Sequence, residues 1–325
     1  MELPGRVAFS IFGMEVMWYG ILIAVGIICA FFVIYYRAPR YHGITRDRTF
    51  NLVILILVTA LIGTRVYYVM FEWEYYGANP AEIFNVRAGG LAIHGGLIFG
   101  CLMAALLARI YKERFLNIVD VFFIGIPLGQ AIGRWGNFFN SEAHGTHTDL
   151  PWAIIVDGDT VHPTFLYESI WCFILFIILW KVDNNRKFFG QTFFLYCILY
   201  SVERFFVEAL RTDSLMVHFP WGEYRQAQVI SLCAIVGAGL LYFFLNKWEK
   251  EHGGGRAINA VADDVKAKGS EVVGINTSED EEEQDGDGSG DGSRDGSRDG
   301  SFEEHDGDGS CEEHDGDGSC EEAEE

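Results

Sequence analysis

The sequence predicts an all-α polytopic membrane protein: seven transmembrane helices, a small extracytoplasmic head and a disordered C-terminal tail. Three observations carry this. Seven apolar runs come close to or exceed the roughly 18–20 residues that span a hydrocarbon core. Basic residues concentrate in alternate connections between those runs. The formal charge of −21 belongs to one end of the 325-residue chain: residues 253–325 hold 25 acidic and 5 basic groups, whereas residues 1–252 hold 20 and 19. The chain is therefore a near-neutral apolar body with an acidic appendage, which excludes an acidic soluble enzyme.

The runs lie at about 17–36, 50–71, 91–110, 118–135, 165–181, 190–210 and 226–246. The first has no basic leader beyond Arg6 and no small-residue cleavage site, so it is expected to be a retained helix and not a signal peptide. Arg37, Arg40, Arg46 and Arg48 flank the first connection, and Arg87 alone follows the second run. Arg109, Lys112 and Arg114 flank the third connection, and none lies in 136–164. Lys181, Arg186 and Lys187 flank the fifth, Arg211 and Arg225 the sixth, and Lys247 and Lys250 close the last run. Positive charge favours the cytoplasmic side, so the N-terminus is expected outside and the C-terminus inside.

The segment of about 136–164 is the expected head of a membrane domain spanning 1–252. Within it, Leu150–Val156 reads as a strand and Asp157-Gly158-Asp159 as a turn. The tail, 253–325, repeats EEHDGDGSC at 303–311 and 312–320. So little apolar surface cannot offset the entropy of ordering, hence the expected disorder. Its DGDGS pieces lack the spaced ligands and closing Glu of a calcium loop. Cys29, Cys101, Cys172, Cys197 and Cys233 sit in apolar runs without metal or redox spacing. No metal or organic cofactor is implied, and the scattered basic residues do not suggest nucleic-acid binding.

Charged groups in a bilayer are costly, so they pair or line polar cavities. Arg65 lies in the second run, and His94 lies among Gly89, Gly90, Gly95, Gly96 and Gly100. Those glycines suit close helix packing around a core histidine. They equally suit a general base beside a surface cleared of side chains for a bulky substrate. The run GRWGNFFNSEAHG at 133–145 brings Arg134, Asn137, Asn140 and Glu142 to a helix end. On a helix 134, 137 and 141 share a face, and an arginine with two amides suits a phosphate or carboxyl headgroup. The alternative is an elaborate helix terminus at the membrane surface. Glu168 begins the fifth run, and Glu203, Arg204, Glu208 and Arg211 end the sixth. Arg204–Glu208 spacing permits neutralisation along one face, although Glu208 cannot fully satisfy both Arg204 and Arg211. Tyr19, beside Trp18, fits an aromatic belt at the outer end of the first helix. Two classes of protein fit these residues: an intramembrane enzyme acting on a lipid headgroup, and a multipass transporter for an anionic solute. Transporters often carry inverted repeats, and the two halves show none.

The order of the motifs resembles the prolipoprotein diacylglyceryl transferase family. The matching pieces are WYG at 18–20, GTRVYY at 63–68, HGGLIFG at 94–100, GRWGNFFNSEAHG at 133–145, HPTFLYES at 162–169 and RFFVEALRTD at 204–213. The resemblance spans most of 15–245 and leaves out the tail. It implies a bacterial inner-membrane enzyme that moves the diacylglyceryl group of phosphatidylglycerol onto the thiol of a prolipoprotein lipobox cysteine, releasing glycerol phosphate. It implies His94 as the base and Arg134 and Arg204 as the phosphate-binding pair, with Arg134 also on the headgroup. Tyr19, Asn137, Asn140, Glu142, Gly145, Glu168 and Glu208 are implied as substrate-binding positions.

The loop charges give a direct test of orientation. A reporter active only in the cytoplasm should work when fused after Lys250 and be silent at Asp157; the reverse pattern would invert the topology.

Overall fold

The computed structural model describes residues 5–86, 89–212, 214–220 and 222–252. Arg87 and the whole acidic tail lie outside the described residues, and with them the expected tail disorder. Eight α-helices occur among the described residues: α1 Trp18–Tyr41, α2 Arg46–Phe71, α3 Trp73–Ala78, α4 Ile93–Tyr111, α5 Phe115–Asn140, α6 Thr164–Asp183, α7 Gln191–Leu210 and α8 Gln226–His252. The short α3 leads into a 3-10 turn, Pro80–Phe84, between α2 and α4. The other seven helices coincide with the seven apolar runs. Six of those are long and apolar enough to cross a membrane. The seventh, α7, carries Glu203, Arg204 and Glu208 within its 20 residues.

Three antiparallel two-stranded hairpins complete the fold: β1–β2 (Val7–Ile11, Met14–Met17), β3–β4 (Ile154–Val156, Asp159–Val161) and β5–β6 (Met216–Phe219, Gly222–Arg225). The first and third have no counterpart in the sequence-based expectation. The second sits where a strand and turn were expected, but its first strand is only Ile154–Val156, because residues 151–152 form a turn. Asp157 and Gly158 both have positive φ (52° and 91°), as a two-residue hairpin of this twist requires. Ile154, Val156 and Val161 pack on Phe138 and Phe165, so the head grows directly from the ends of α5 and α6. Helix α5 runs on to Asn140 before Ser141 (φ 56°) ends it, so residues 136–140, expected in the head, belong to the helix.

Small residues set the helix pairs. A Cβ added at Gly26 of α1 would lie 2.8 Å from the carbonyl oxygen of Gly129 on α5, and one at Gly125 would lie 2.8 Å from that of Ala30. On α4, a Cβ at Gly95 would lie 2.1 Å from the carbonyl oxygen of Gly63 on α2. Backbones approach this closely only where side chains are absent, the usual solution for helices that cannot rely on a hydrophobic drive inside lipid. Arg65, a charge in the apolar part of α2, donates to the carbonyls of Glu82, Ile83, Asn85, Gly89 and Gly90 (2.6–3.2 Å). It thereby pins the segment that leads into α4.

At the end of the bundle away from the head, a buried polar network joins α1, α5, α6 and the start of α7. Arg37 pairs with Asp183 at 2.5 Å and stacks between Tyr41 and Trp180. His42 lies 3.1 Å from Asp183 and 3.0 Å from Asn117. Arg186 pairs with Asp120 at 3.1 Å, and Asp120 also accepts the backbone N–H groups of Gly190 (2.7 Å) and Phe193 (3.0 Å). A carboxylate on α5 thus caps the first turn of α7 from across the bundle, satisfying donors that a helix start leaves orphaned. Arg37 and Arg186, counted above as loop charges, are 0 % and 8 % exposed.

Removing one partner of a buried pair leaves the other charged and unsolvated, at a cost of about 3–5 kcal/mol. Arg186→Leu should therefore lower unfolding stability in detergent by that order, and Asp120→Asn added to it should recover part of the loss. A loss below about 1 kcal/mol in the single variant would mean that the pair does not support the fold.

Candidate functional site

At the head end of the bundle, five side chains from three helices form a chain of contacts. Tyr200 of α7 accepts from Nη2 of Arg134 on α5 (3.2 Å). Nη1 of Arg134 lies 3.0 Å from Oε2 of Glu168 on α6. The other oxygen of Glu168 accepts from Nη1 of Arg204 on α7 (3.0 Å), and Nη2 of Arg204 lies 2.6 Å from Glu208. Glu168 is 0 % exposed, whereas each arginine side chain keeps 21 % of its surface open. One buried carboxylate therefore holds two guanidinium groups side by side, each with donors to spare.

Local structure explains the placement. Glu168 falls in the second turn of α6, which starts where Thr164 donates its hydroxyl proton to the Ala143 carbonyl. Next to it, Ser169 accepts from the Trp135 indole (3.1 Å) and donates to the Ala131 carbonyl (2.8 Å), locking α6 onto α5 one residue from each ion-pair partner. Arg225 of β6 donates to the carbonyls of Glu208 and Arg211, which fixes the end of α7. Gly145 is buried and donates its N–H to His162 (2.9 Å); a Cβ there would lie 2.6 Å from the His162 Cβ. Its role is thus to let the head strand approach α6.

A cavity of about 430 Å³ opens beside this chain, between α1, α4, α5 and α7. Arg134, Asn137, Gln130, Tyr19 and Tyr200 are its polar lining. Ile23, Ile27, Ile93 and Ile126 make an aliphatic wall, and Gly26, Ala30, Gly129 and Gly133 a wall without bulk. Volume and lining suit a small-molecule site with few convergent polar groups. The combination favours an amphipathic anion, with its charge on Arg134 and its apolar part against the isoleucines.

Of the residues singled out in the sequence, Arg134, Arg204, Glu168 and Glu208 meet directly, and Tyr19 and Asn137 line the adjoining cavity. Tyr19 lies against Gly136, where a Cβ would come within 2.5 Å of its ring. Asn140 donates to Glu142 (3.3 Å) at the exit of α5, above the arginines. His94 stands apart. It is exposed at the start of α4, with its ring 6.1 Å from that of Tyr67, and only its neighbour Ile93 reaches the cavity. Tyr200 and Gln130 are cavity residues that the sequence analysis missed. Each lies four residues before a singled-out arginine on the same helix, a spacing that would have found them. Glu203 is 7 % exposed, and neither of its carboxylate oxygens has a hydrogen-bond partner among the described residues. No group of three or more His, Cys, Asp or Glu among the described residues is placed to hold a metal ion.

Glu168→Gln keeps the shape of the bridge and removes its charge. The variant should unfold at lower temperature in neutral detergent, because two adjacent arginines lose their shared counter-ion. Added anionic phospholipid should stabilise it more than the parent, since bound anion then supplies the missing charge. Equal stabilisation of both proteins would show that the arginines do not face the lipid.

The family model of prolipoprotein diacylglyceryl transferases matches residues 6–244. A Clostridioides difficile protein named phosphatidylglycerol–prolipoprotein diacylglyceryl transferase is 50 % identical over 247 residues, covering 76 % of this chain and 98 % of the relative. Proteins of the same name from Finegoldia magna and Bacillus cereus are 47 % and 46 % identical, covering 73 % and 71 % of this chain and 94 % and 88 % of those relatives. The matched region contains six of the seven long helices whole, most of α8 and the arginine pair, and the chain belongs to the prolipoprotein diacylglyceryl transferase family.

Proposed function

We propose that the chain transfers the diacylglyceryl group of phosphatidylglycerol to the cysteine thiol of a prolipoprotein lipobox, the first step of lipoprotein maturation. The observation that carries this reading is the Glu168-bridged arginine pair, one member of which, Arg134, lines a largely apolar cavity, in a chain whose relatives bear the name of that activity. The thiol, with an ordinary pKa near 8.5, loses its proton. Its sulfur attacks the glyceryl carbon that bears the phosphate. A carbon–sulfur bond forms, the carbon–oxygen bond breaks, and glycerol phosphate departs with one more negative charge than the diester had.

That developing charge is what two fixed guanidinium groups stabilise best, because they need no reorganisation in a water-poor site. Arg134 holds the headgroup phosphate and Arg204 joins it on the leaving group. Asn137 and Tyr19 complete the cavity's polar rim, and Asn140, Glu142 and Gly145 shape the mouth above it. His94 is the proposed base. It is exposed at the start of α4, next to Ile93 of the cavity wall, where a thiol arriving along that helix could reach it. The chain is proposed to sit in the bacterial plasma membrane with the head outside. Residues 253–325 are proposed to be cytoplasmic and dispensable for transfer.

Purified protein incubated with labelled phosphatidylglycerol and a lipobox peptide should yield a thioether lipopeptide, and a chain ending at 252 should do so nearly as fast. Arg134→Lys and Arg204→Lys keep the charge but lose the planar fork, so each should slow transfer by roughly a hundredfold, about 3 kcal/mol. His94→Gln should slow transfer while leaving lipid binding near normal. Full rates in both lysine variants would make the arginines structural partners of the glutamates instead.

A further inference from the structure

One polar group in the cavity has no part in the reaction as proposed. Gln130 lines the cavity one helical turn before Arg134 on α5. At 1.5 Å per residue it lies about 6 Å further from the head, toward the membrane centre. Tyr196, 7 % exposed on α7, donates its hydroxyl proton to Oε1 of Gln130 (2.9 Å). Its ring stacks on that of Tyr200 (centroids 5.3 Å apart, planes 9° apart), so the two tyrosines anchor Gln130 and Arg134 as successive rungs. With Oε1 occupied, the end of the amide left for a ligand is Nε2, which has no acceptor among the described residues. Once acyl chains fill the cavity and exclude water, an amide N–H that faces them without a partner is costly. The neighbouring lining at that depth, Ile23, Ile27 and Ile126, offers none.

We infer that Gln130 Nε2 donates to an ester carbonyl oxygen of the bound diacylglyceryl lipid, which sets the depth of the lipid and selects diester over diether lipids. This rests on the transferase reading, with the phosphate on Arg134. In a glycerophospholipid the ester carbonyls are the acceptors next below the phosphate, a few bonds away and on the side of the acyl chains. A lipid held at both points has the glyceryl carbon between them fixed in place for attack, an orientation effect and not a chemical one.

The test compares transfer from phosphatidylglycerol carrying two ester-linked chains with transfer from its ether-linked analogue, for the parent enzyme, Gln130→Leu and Tyr196→Phe, in mixed micelles. The parent should favour the diester by about tenfold in kcat/KM, the worth of one buried hydrogen bond. Gln130→Leu should lose about tenfold on the diester and almost nothing on the diether, so that the preference vanishes. Tyr196→Phe, which frees the amide to rotate without emptying its place, should reduce the preference partway. An equal loss on both lipids, an unchanged preference in Gln130→Leu, or a parent that does not discriminate would each overturn the inference. Should Gln130→Leu fail to fold, the Tyr196→Phe preference decides: a value equal to the parent's overturns it. Absence of transfer by the parent from the diester would instead refute the transferase reading itself.

Discussion

The carboxylate of Glu168 is the constraint on which the working end of this protein depends. Two arginines this deep in a membrane domain would each be costly alone, and side by side they would repel. With Glu168 between them they are held in place, while part of each guanidinium still faces outward. The bridge also dictates architecture. Its three members lie on α5, α6 and α7, so those helices must meet at one level. The Trp135–Ser169–Ala131 relay and the Arg225 contacts keep them there.

The same helices are tied again at their other ends by Arg37–Asp183 and Asp120–Arg186. The two clusters differ in what they leave free. In the far cluster every cation is nearly fully enclosed, and Asp120 spends its remaining capacity on backbone N–H groups of α7. In the near cluster the carboxylate is enclosed and the cations are partly open. A buried anion with exposed cations makes a site for anions; the closed arrangement makes a joint. Between them, the glycine-rich crossing of α1 and α5 leaves room for a ligand where two side-chain layers would otherwise fill the space.

Much of this was legible in the sequence, and the limits have physical causes. Seven helices follow from apolar length alone, and Arg134 and Asn137 share a face because their spacing is that of a helix. Arg204–Glu208 is visible for the same reason. The Glu168 bridge is not, because its partners are 34 and 36 residues away and helix periodicity says nothing about which faces meet. Arg37 and Arg186 were counted as loop charges because counting charge ignores burial. His94 was legible as an unusual residue, yet its place on the outer face of α4 depends on the Gly63–Gly95 contact turning that helix. The β1–β2 and β5–β6 hairpins follow from turns too short and strands too mixed to stand out.

The charges of α7 bear on how the chain gets into the membrane at all. A segment with three ionisable side chains is a poor candidate for insertion by itself, a charge near mid-bilayer costing roughly 2.5–3.5 kcal/mol on biological insertion scales. The partners that meet it are synthesised first, however: Glu168, the counter-ion of Arg204, lies on the preceding helix, and Asp120, which accepts backbone N–H groups at the start of α7, lies earlier still. By the time α7 emerges from the ribosome, α5 and α6 can already offer it a carboxylate at either end. The carboxylates of α5 and α6 thus bear on assembly as well as on the site, because the least membrane-like helix meets them on helices that precede it in the chain.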